Sequence, residues 1–440
     1  MSEGDPSRTT KTIPSSRLSR IGKLGSLAGK IAGNVLTRGA GQLLKGERPA
    51  LSSLLLTPQN ITRIADQLAN MRGAAMKLGQ LISMDTGDFL PPELAEILGR
   101  LREDADPMPK DQLVDTLNNA WGEGWQDNLL YFSFSPIAAA SIGQVHKAIT
   151  LDGKILAIKV QYPGIKKSIN SDVDNVATLI KLTGLVPSSL DIKPLLEEAK
   201  AQLHQEADYL REASMLTQYN AALCGDGDFL IPTVYEPLTT STVLAMDYIE
   251  AKPLDVLLEQ PQAVRDTAMT QLMRLFFSEI FGFKLLQSDP NLANYRFNIE
   301  TKQWVLLDFG ATRTVPDAIS SGYNALLVSA AHQDSEAMLQ AAQKIGLLTE
   351  AHSEKQQRAV VEMGMEACEA LREAGPYDFG NTDLIQRLHE KGMTLTMELD
   401  FWHTPPVDAL FIHRKLGGLY LLAKRLNARI NMRDAAQPWL

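Results

Sequence analysis

Residues 287–313 read QSDPNLANYRFNIETKQWVLLDFGATR, and the reading of this stretch decides the fold. Asp289 and Asn294 stand five residues apart, and Asp308 follows nineteen residues after Asp289, at the end of the apolar run WVLLD. YRFN and WVLLDFG read as two short strands, so a loop, a hairpin and a strand end bring three side-chain oxygens to one place. Phosphoryl transfer uses such a set: one Asp orients or deprotonates the attacking hydroxyl, while an Asn and a second Asp hold magnesium against the phosphates. Magnesium demands hard oxygen ligands, and both residue types supply them. DFG alone is common and is usually a turn. D-x4-N followed by an apolar strand ending in DFG is far rarer.

Upstream, residues 134–148 read FSPIAAASIGQVHKA, and eleven residues later Lys159 stands in the apolar run LAIKVQY. A small-residue loop, a strand, a tight turn (LDGK) and a strand with one lysine follow the order of a nucleotide site. Phosphate-cradling loops are normally glycine-rich, because glycine lets backbone N–H groups approach phosphate. Here Ala138, Ala139 and Ala140 occupy those positions, followed by Ser141. Lys159 is expected to contact the α- and β-phosphates and to pair with a glutamate on a later helix. Glu197, Glu198, Glu206 and Glu212 are the candidates, and any one of them could equally be a surface glutamate. The distance to Glu212 implies an insertion. VLAMDYIE reads as a strand entering the adenine hinge, with Met246 at its inner end and Asp247 to Ile249 presenting backbone groups.

Around these motifs the chain changes character near residue 130. Short β-like runs (YFSF, IGQVHKAIT, ILAIKVQY, TVYEPL and TVLAMDYI) follow an all-helical start, and residues 165–223 read as helical. After 255 the pattern is helical again apart from the two strands before DFG. The fold expected is α+β, a bilobal protein-kinase-like fold with an N-terminal all-helical extension. Its divisions are a basic amphipathic arm (1–56), the helical extension (57–128), an N-lobe with a helical insertion (129–254) and a helical C-lobe (255–440). No APE-like motif follows DFG, and a helix-like pattern begins soon after Pro316, which argues against a docked peptide substrate.

Composition sets outer limits. The 440 residues are 45% hydrophobic and 22% charged, with two cysteines, Cys224 and Cys368. This fits a globular chain without a disulfide framework. Net charge is −9, yet residues 1–50 hold nine Lys or Arg against three Asp or Glu, a balance of +6. The acidic remainder argues against nucleic acid as a partner. In the arm, Leu18, Ile21, Leu24, Ala28, Ile31 and Val35 recur at helical spacing beside Arg17, Arg20, Lys23 and Lys30, the pattern of a helix on an anionic membrane surface. A helix packed on its own protein would show it too. The longest run without Asp, Glu, Lys or Arg, residues 128–146, contains Pro136 and Gln144 and does not read as a membrane span. With no signal peptide evident, a cytoplasmic place, peripheral on a membrane, is expected. Thr57 and Pro58 open a long helix containing MKLGQL, where Gly79 costs about 1 kcal/mol against alanine and so implies close approach of another element.

The ordered motifs resemble the UbiB-type, AarF-domain atypical kinases linked to coenzyme Q biosynthesis. KLGQ at 77–80, AAAS at 138–141, AIK at Lys159, the pair Glu206 and Asp208, QSDPNLAN, LDFGATR and HRKLGGLYLLAKRL carry the resemblance, which runs from about residue 60 to 430. It implies helices folded over the active-site cleft, with Lys77 and Gln80 near the nucleotide and Lys77 facing Glu206. It makes Glu212 the partner of Lys159 and the alanine loop a stiffer replacement for the glycine-rich loop, which together with the covering helices would hinder phosphorylation of proteins in trans. ATP and Mg2+ are the implied cofactors, with ATPase activity responsive to membrane lipid. A prenyl-lipid or quinone precursor and ubiquinone-biosynthesis enzymes are the implied partners. A nucleotide-binding scaffold that organises such enzymes at a membrane is the competing expectation.

Overall fold

A run of six buried residues, Leu156 to Gln161, forms the strand at the centre of the first sheet. The computed structural model describes residues 107–183, 193–289, 291–401, 403 and 405–440. These form two compact units: described residues up to Ser214 with Thr233–Tyr248, and Met215–Pro232 with Ile249–Leu440. The basic arm 1–56 and residues 57–106 of the expected extension, with Lys77, Gly79 and Gln80, lie outside the described residues.

In the first unit, helix α1 (Lys110–Trp121) buries Leu113 and Leu117, four residues apart and therefore on one face. Strands β1 (Leu129–Phe132), β2 (Ala138–Ala139), β3 (Gly143–Thr150) and β4 (Ile155–Gln161) follow, then helices α2 (Ile165–Thr183), α3 (Lys193–Glu206) and α4 (Tyr209–Ala222). Strand β5 (Phe229–Leu230) belongs to the second unit, and β6 (Val243–Asp247) returns to the first. The sheet runs β1-β3-β4-β6, with β2 paired to β3. Leu156, Ile158 and Val160 enter one core with Leu113, Leu117 and Trp125, so α1 and the sheet share that core. Side chains alternate across a strand, and Lys159 therefore faces the opposite side of the sheet.

TVYEPL differs from its expected strand. It makes a single bridge, Val234 to Met246, and then a 3-10 turn, Glu236–Leu238. Pro237 has no N–H to continue a ladder.

In the second unit β7 (Lys252–Pro253) precedes helix α5 (Gln262–Phe277), which runs into one π-turn at Ser278–Gly282. Strand β8 (Leu285–Gln287) leads to the Asp289 loop, and β9 (Tyr295–Asn298) and β10 (Gln303–Leu306) form the expected hairpin, Tyr295 opposite Leu306. Trp304 anchors it, fully buried, with Nε1 donating to the Ala268 carbonyl at 2.8 Å. Strand β11 (Thr312–Thr314) pairs with β8, Thr312 opposite Gln287, and so brings the chain after DFG beside the chain before Asp289. Helix α6 (Asp317–His332) begins directly after Pro316, followed by α7 (Ser335–Lys344), α8 (Glu354–Ala367), α9 (Leu384–Met397) and α10 (Val407–Arg425).

Candidate active site

The expected site residues divide between the two units. In the first, Lys159 Nζ lies 2.7 and 2.9 Å from Glu212 Oε1 and Oε2. Their side chains are 8% and 2% exposed, and the ammonium also sits 5.3 Å above the Tyr209 ring. The other glutamates do other work. Glu197 pairs with Lys200 at the surface, Glu198 accepts from the Gln202 amide, and Glu206 accepts from the Ser141 hydroxyl at 3.1 Å. Asp208 caps α4: its side chain accepts from the Arg211 N–H at 3.1 Å and its carbonyl from the Glu212 N–H at 3.0 Å. The side chain satisfies one donor that a helix start would otherwise orphan, the carbonyl accepts the first intrahelical bond, and together they fix the turn that carries Glu212.

The alanine loop is one arm of a tight hairpin. Ala138 and Ala139 pair with Val145 and Gln144, and the Ala140 N–H donates to the Gly143 carbonyl at 2.9 Å. At its tip Ile142 is buried and its carbonyl accepts from the Tyr162 N–H. Gly143 is obligatory, because a Cβ there would lie 2.4 Å from the Val160 carbonyl oxygen and 2.8 Å from the Tyr209 hydroxyl. These contacts, with the Ser141–Glu206 bond, leave the loop little freedom. Met246 is buried in β6. The expectation that Asp247 to Ile249 all offer backbone groups is narrowed: the Asp247 N–H donates to the Thr233 carbonyl and the Tyr248 N–H to the Ile155 carbonyl.

In the second unit Asp289 is held from three sides. Its Oδ1 accepts from the Asn291 N–H at 3.2 Å, its Oδ2 from Asn294 Nδ2 at 3.3 Å, and Arg414 approaches to 3.8 Å. The Asn294 carbonyl accepts from the Leu307 N–H at 3.1 Å, which sets the loop against the strand that ends in Asp308. Asp308 Oδ1 accepts from the Gly310 N–H at 3.0 Å, and its backbone carbonyl accepts from the Gln287 side-chain amide. Ser288 Oγ donates to the Ala311 carbonyl at 2.7 Å.

Magnesium fits this donor set. With its amide nitrogen committed to Asp289, Asn294 has its side-chain oxygen left for a cation, and the Asp308 carboxylate supplies a second hard oxygen. Among the described residues no group of three His, Cys, Asp or Glu side chains could hold a metal alone. Two protein oxygens completed by phosphates and water is the usual arrangement for magnesium.

Helix α10 takes a part that sequence reasoning did not assign. HRKLGG marked it, but no role was given to its cations. Arg414 approaches Asp289, Lys415 pairs with the buried Glu279, and Arg313 of the DFGATR segment lies 4.4 Å over the Phe411 ring and 3.7 Å from Asp408.

The ABC1 atypical kinase-like domain matches residues 100–342, more than half of the chain. The rat protein named atypical kinase COQ8B, mitochondrial, is 35% identical over 435 residues, covering 98% of this chain and 82% of its own. Atypical kinase COQ8, mitochondrial, of Saccharomyces cerevisiae is 34% identical over 425 residues, covering 96% and 84%. Atypical kinase coq-8, mitochondrial, of Caenorhabditis elegans is 34% identical over 430 residues, and this chain spans 57% of its length. Among solved structures, an Rv3197–erythromycin complex from Mycobacterium tuberculosis matches with a TM-score of 0.60 at 20% identity, covering 94% of this chain and 98% of that one, a likeness of fold. The chain belongs to the ABC1 atypical kinase-like family, the UbiB family its motifs resemble, a kinase class of phosphoryl-transfer proteins.

Proposed function

We propose that the chain is a Mg-ATP-dependent kinase or ATPase that supports ubiquinone (prenyl-lipid) biosynthesis and does not phosphorylate proteins in trans. The observation that carries this reading is the arrangement of Asp289, Asn294 and Asp308, with the Asn294 amide turned onto Asp289. Bound magnesium would neutralise phosphate charge and polarise the transferred group. Asn294 and Asp308 would hold it.

The protein's own groups do the rest. Glu212 fixes Lys159, whose ammonium meets the α- and β-phosphates as a preorganised charge. Asn294 and the Asn291 amide keep the Asp289 carboxylate aimed at the attacking hydroxyl or water, which positioning alone makes more reactive. With the amides of Asp247 and Tyr248 committed, the Asp247 carbonyl and the Ile249 amide are the groups offered to adenine. The stiff alanine loop supports a small acceptor or water rather than a protein side chain.

The partners that follow are a prenyl-lipid or quinone precursor, ubiquinone-biosynthesis enzymes and an anionic membrane surface met by residues 1–50. Among the described residues no helix is long and apolar enough to cross a membrane. The named relatives are mitochondrial, so membrane contact rather than a cytoplasmic address is carried forward.

Purified chain tests the reading through ATP hydrolysis with and without anionic liposomes, wild type beside Asp289→Ala. Liposome-stimulated turnover in the wild type and none in the variant is expected. ATP binding without turnover under either condition would replace this reading with the scaffold.

A further inference from the structure

Glu279 stands on the π-turn after α5 and is wholly buried, and Lys415, its ion-pair partner from α10, is 3% exposed. Besides that ammonium, the carboxylate takes two donors on Oε1: the Tyr219 hydroxyl at 2.6 Å and the Gln287 backbone N–H at 3.0 Å. Burial pushes the Glu279 carboxyl up and the Lys415 ammonium down, each against the pull of the other. Buried ion pairs of this kind are poor sources of stability, since well-packed apolar residues of the same volume often serve as well or better. Retaining one points to a task that apolar residues cannot perform.

The donors show what the task is. Gln287 ends β8 two residues before Asp289, and its side-chain amide donates to the Asp308 carbonyl. Tyr219 packs its ring against Phe309 of DFG, centroids 4.9 Å apart. One carboxylate thus holds the strand that delivers Asp289 and, through two further contacts, both residues that open DFG. π-turns are inserted where a helix must redirect a side chain, often at functional sites.

We propose that Glu279, neutralised by Lys415, is a positioning residue for phosphoryl transfer: its carboxylate sets the register of Gln287, and through it the placement of Asp289 and Asp308. The inference rests on the phosphoryl-transfer reading for its functional consequence, but the register itself is measurable without ATP.

Two double variants separate register from charge. Glu279→Gln/Lys415→Met and Glu279→Leu/Lys415→Met both remove the ion pair, and only the first leaves an oxygen to accept from Gln287 and Tyr219. In hydrogen exchange on the nucleotide-free full chain, the Leu/Met variant should lose protection about tenfold or more at residues 285–291 and 308–311. The Gln/Met variant should stay within about threefold of wild type there. ATP turnover should follow the same order, the Leu/Met variant losing about tenfold or more in kcat. A Leu/Met variant with wild-type exchange in both segments would overturn the inference, as would two variants that lose protection equally. If the wild type neither binds Mg-ATP nor turns over while the exchange pattern holds, the register stands and the phosphoryl-transfer reading falls. Should the Leu/Met variant fail to fold, Tyr219→Phe removes one donor and keeps the ring on Phe309. Faster exchange confined to 308–311 and 285–291 then supports the proposal, and unchanged exchange overturns it.

Discussion

Lys159 and Glu212, 53 residues apart in sequence, meet through two contacts of 2.7 and 2.9 Å and are almost wholly withdrawn from water. Breaking one side of such a pair leaves an uncompensated buried charge, at a cost of about 3–5 kcal/mol. Glu212→Gln is therefore expected to lower the urea midpoint and weaken nucleotide binding together. Lys159→Met/Glu212→Gln should recover stability without recovering binding. A double variant as unstable as the single, measured by urea unfolding beside nucleotide titration, would show that the pair is valued for packing rather than charge.

Loop stiffness gives a second expectation. Ala139 is paired with Gln144 inside the hairpin, and glycine there restores backbone freedom at a cost of about 0.5–1 kcal/mol in the strand. Ala139→Gly should raise ATP affinity or autophosphorylation. Isothermal titration and a radiolabel incorporation assay check it, and no change in either contradicts this account of the loop.

His146 supplies a pH dependence. Its Nδ1 donates to the Ser133 carbonyl at 2.7 Å and its Nε2 accepts from the Gln144 amide at 2.8 Å, a pattern only the neutral ring can make. Burial depresses its pKa from 6.5 to about 4. The unfolded chain therefore binds the extra proton first. Stability is full above about pH 6.5, falls as pH drops towards 4 and levels below it, with a span of about 3 kcal/mol from this residue. Chemical denaturation at pH 7.5 and 4.5 should show a smaller difference in His146→Gln than in wild type. An equal difference would assign the acid sensitivity elsewhere.

Gly322 in α6 faces Ile345, the C-cap residue of α7, so closely that a Cβ would lie 1.8 Å from the Ile345 Cγ2. Gly322→Ala should cost about 1–3 kcal/mol through overpacking, outweighing the helix propensity it gains. An alanine variant as stable as wild type in urea would mean the two helices can part without penalty.

What the sequence made legible follows from range. Asp289, Asn294 and Asp308 are linked by one hairpin, so their spacing along the chain already encodes their proximity. The partner of Lys159 lay beyond local reach: the residues alone left four glutamates, the family resemblance pointed to Glu212, and the buried contact is with that residue. Strands β2, β5, β8 and β11 hold two or three residues each, too few to show a period. TVYEPL showed a strand-like pattern that Pro237 cuts short. Glu279 carries no local signature, and Lys415 stands in HRKLGG without one for its role, because a buried charge is recognisable only from what surrounds it.

The central claim is that Asn294 and Asp308 hold magnesium against ATP. Its most direct measurement is the affinity of the purified chain for ATP across a magnesium titration, wild type beside Asp308→Asn. The account predicts binding that tightens with magnesium in the wild type and a variant whose binding no longer responds to the cation. An Asp308→Asn chain with the wild-type magnesium dependence would contradict it.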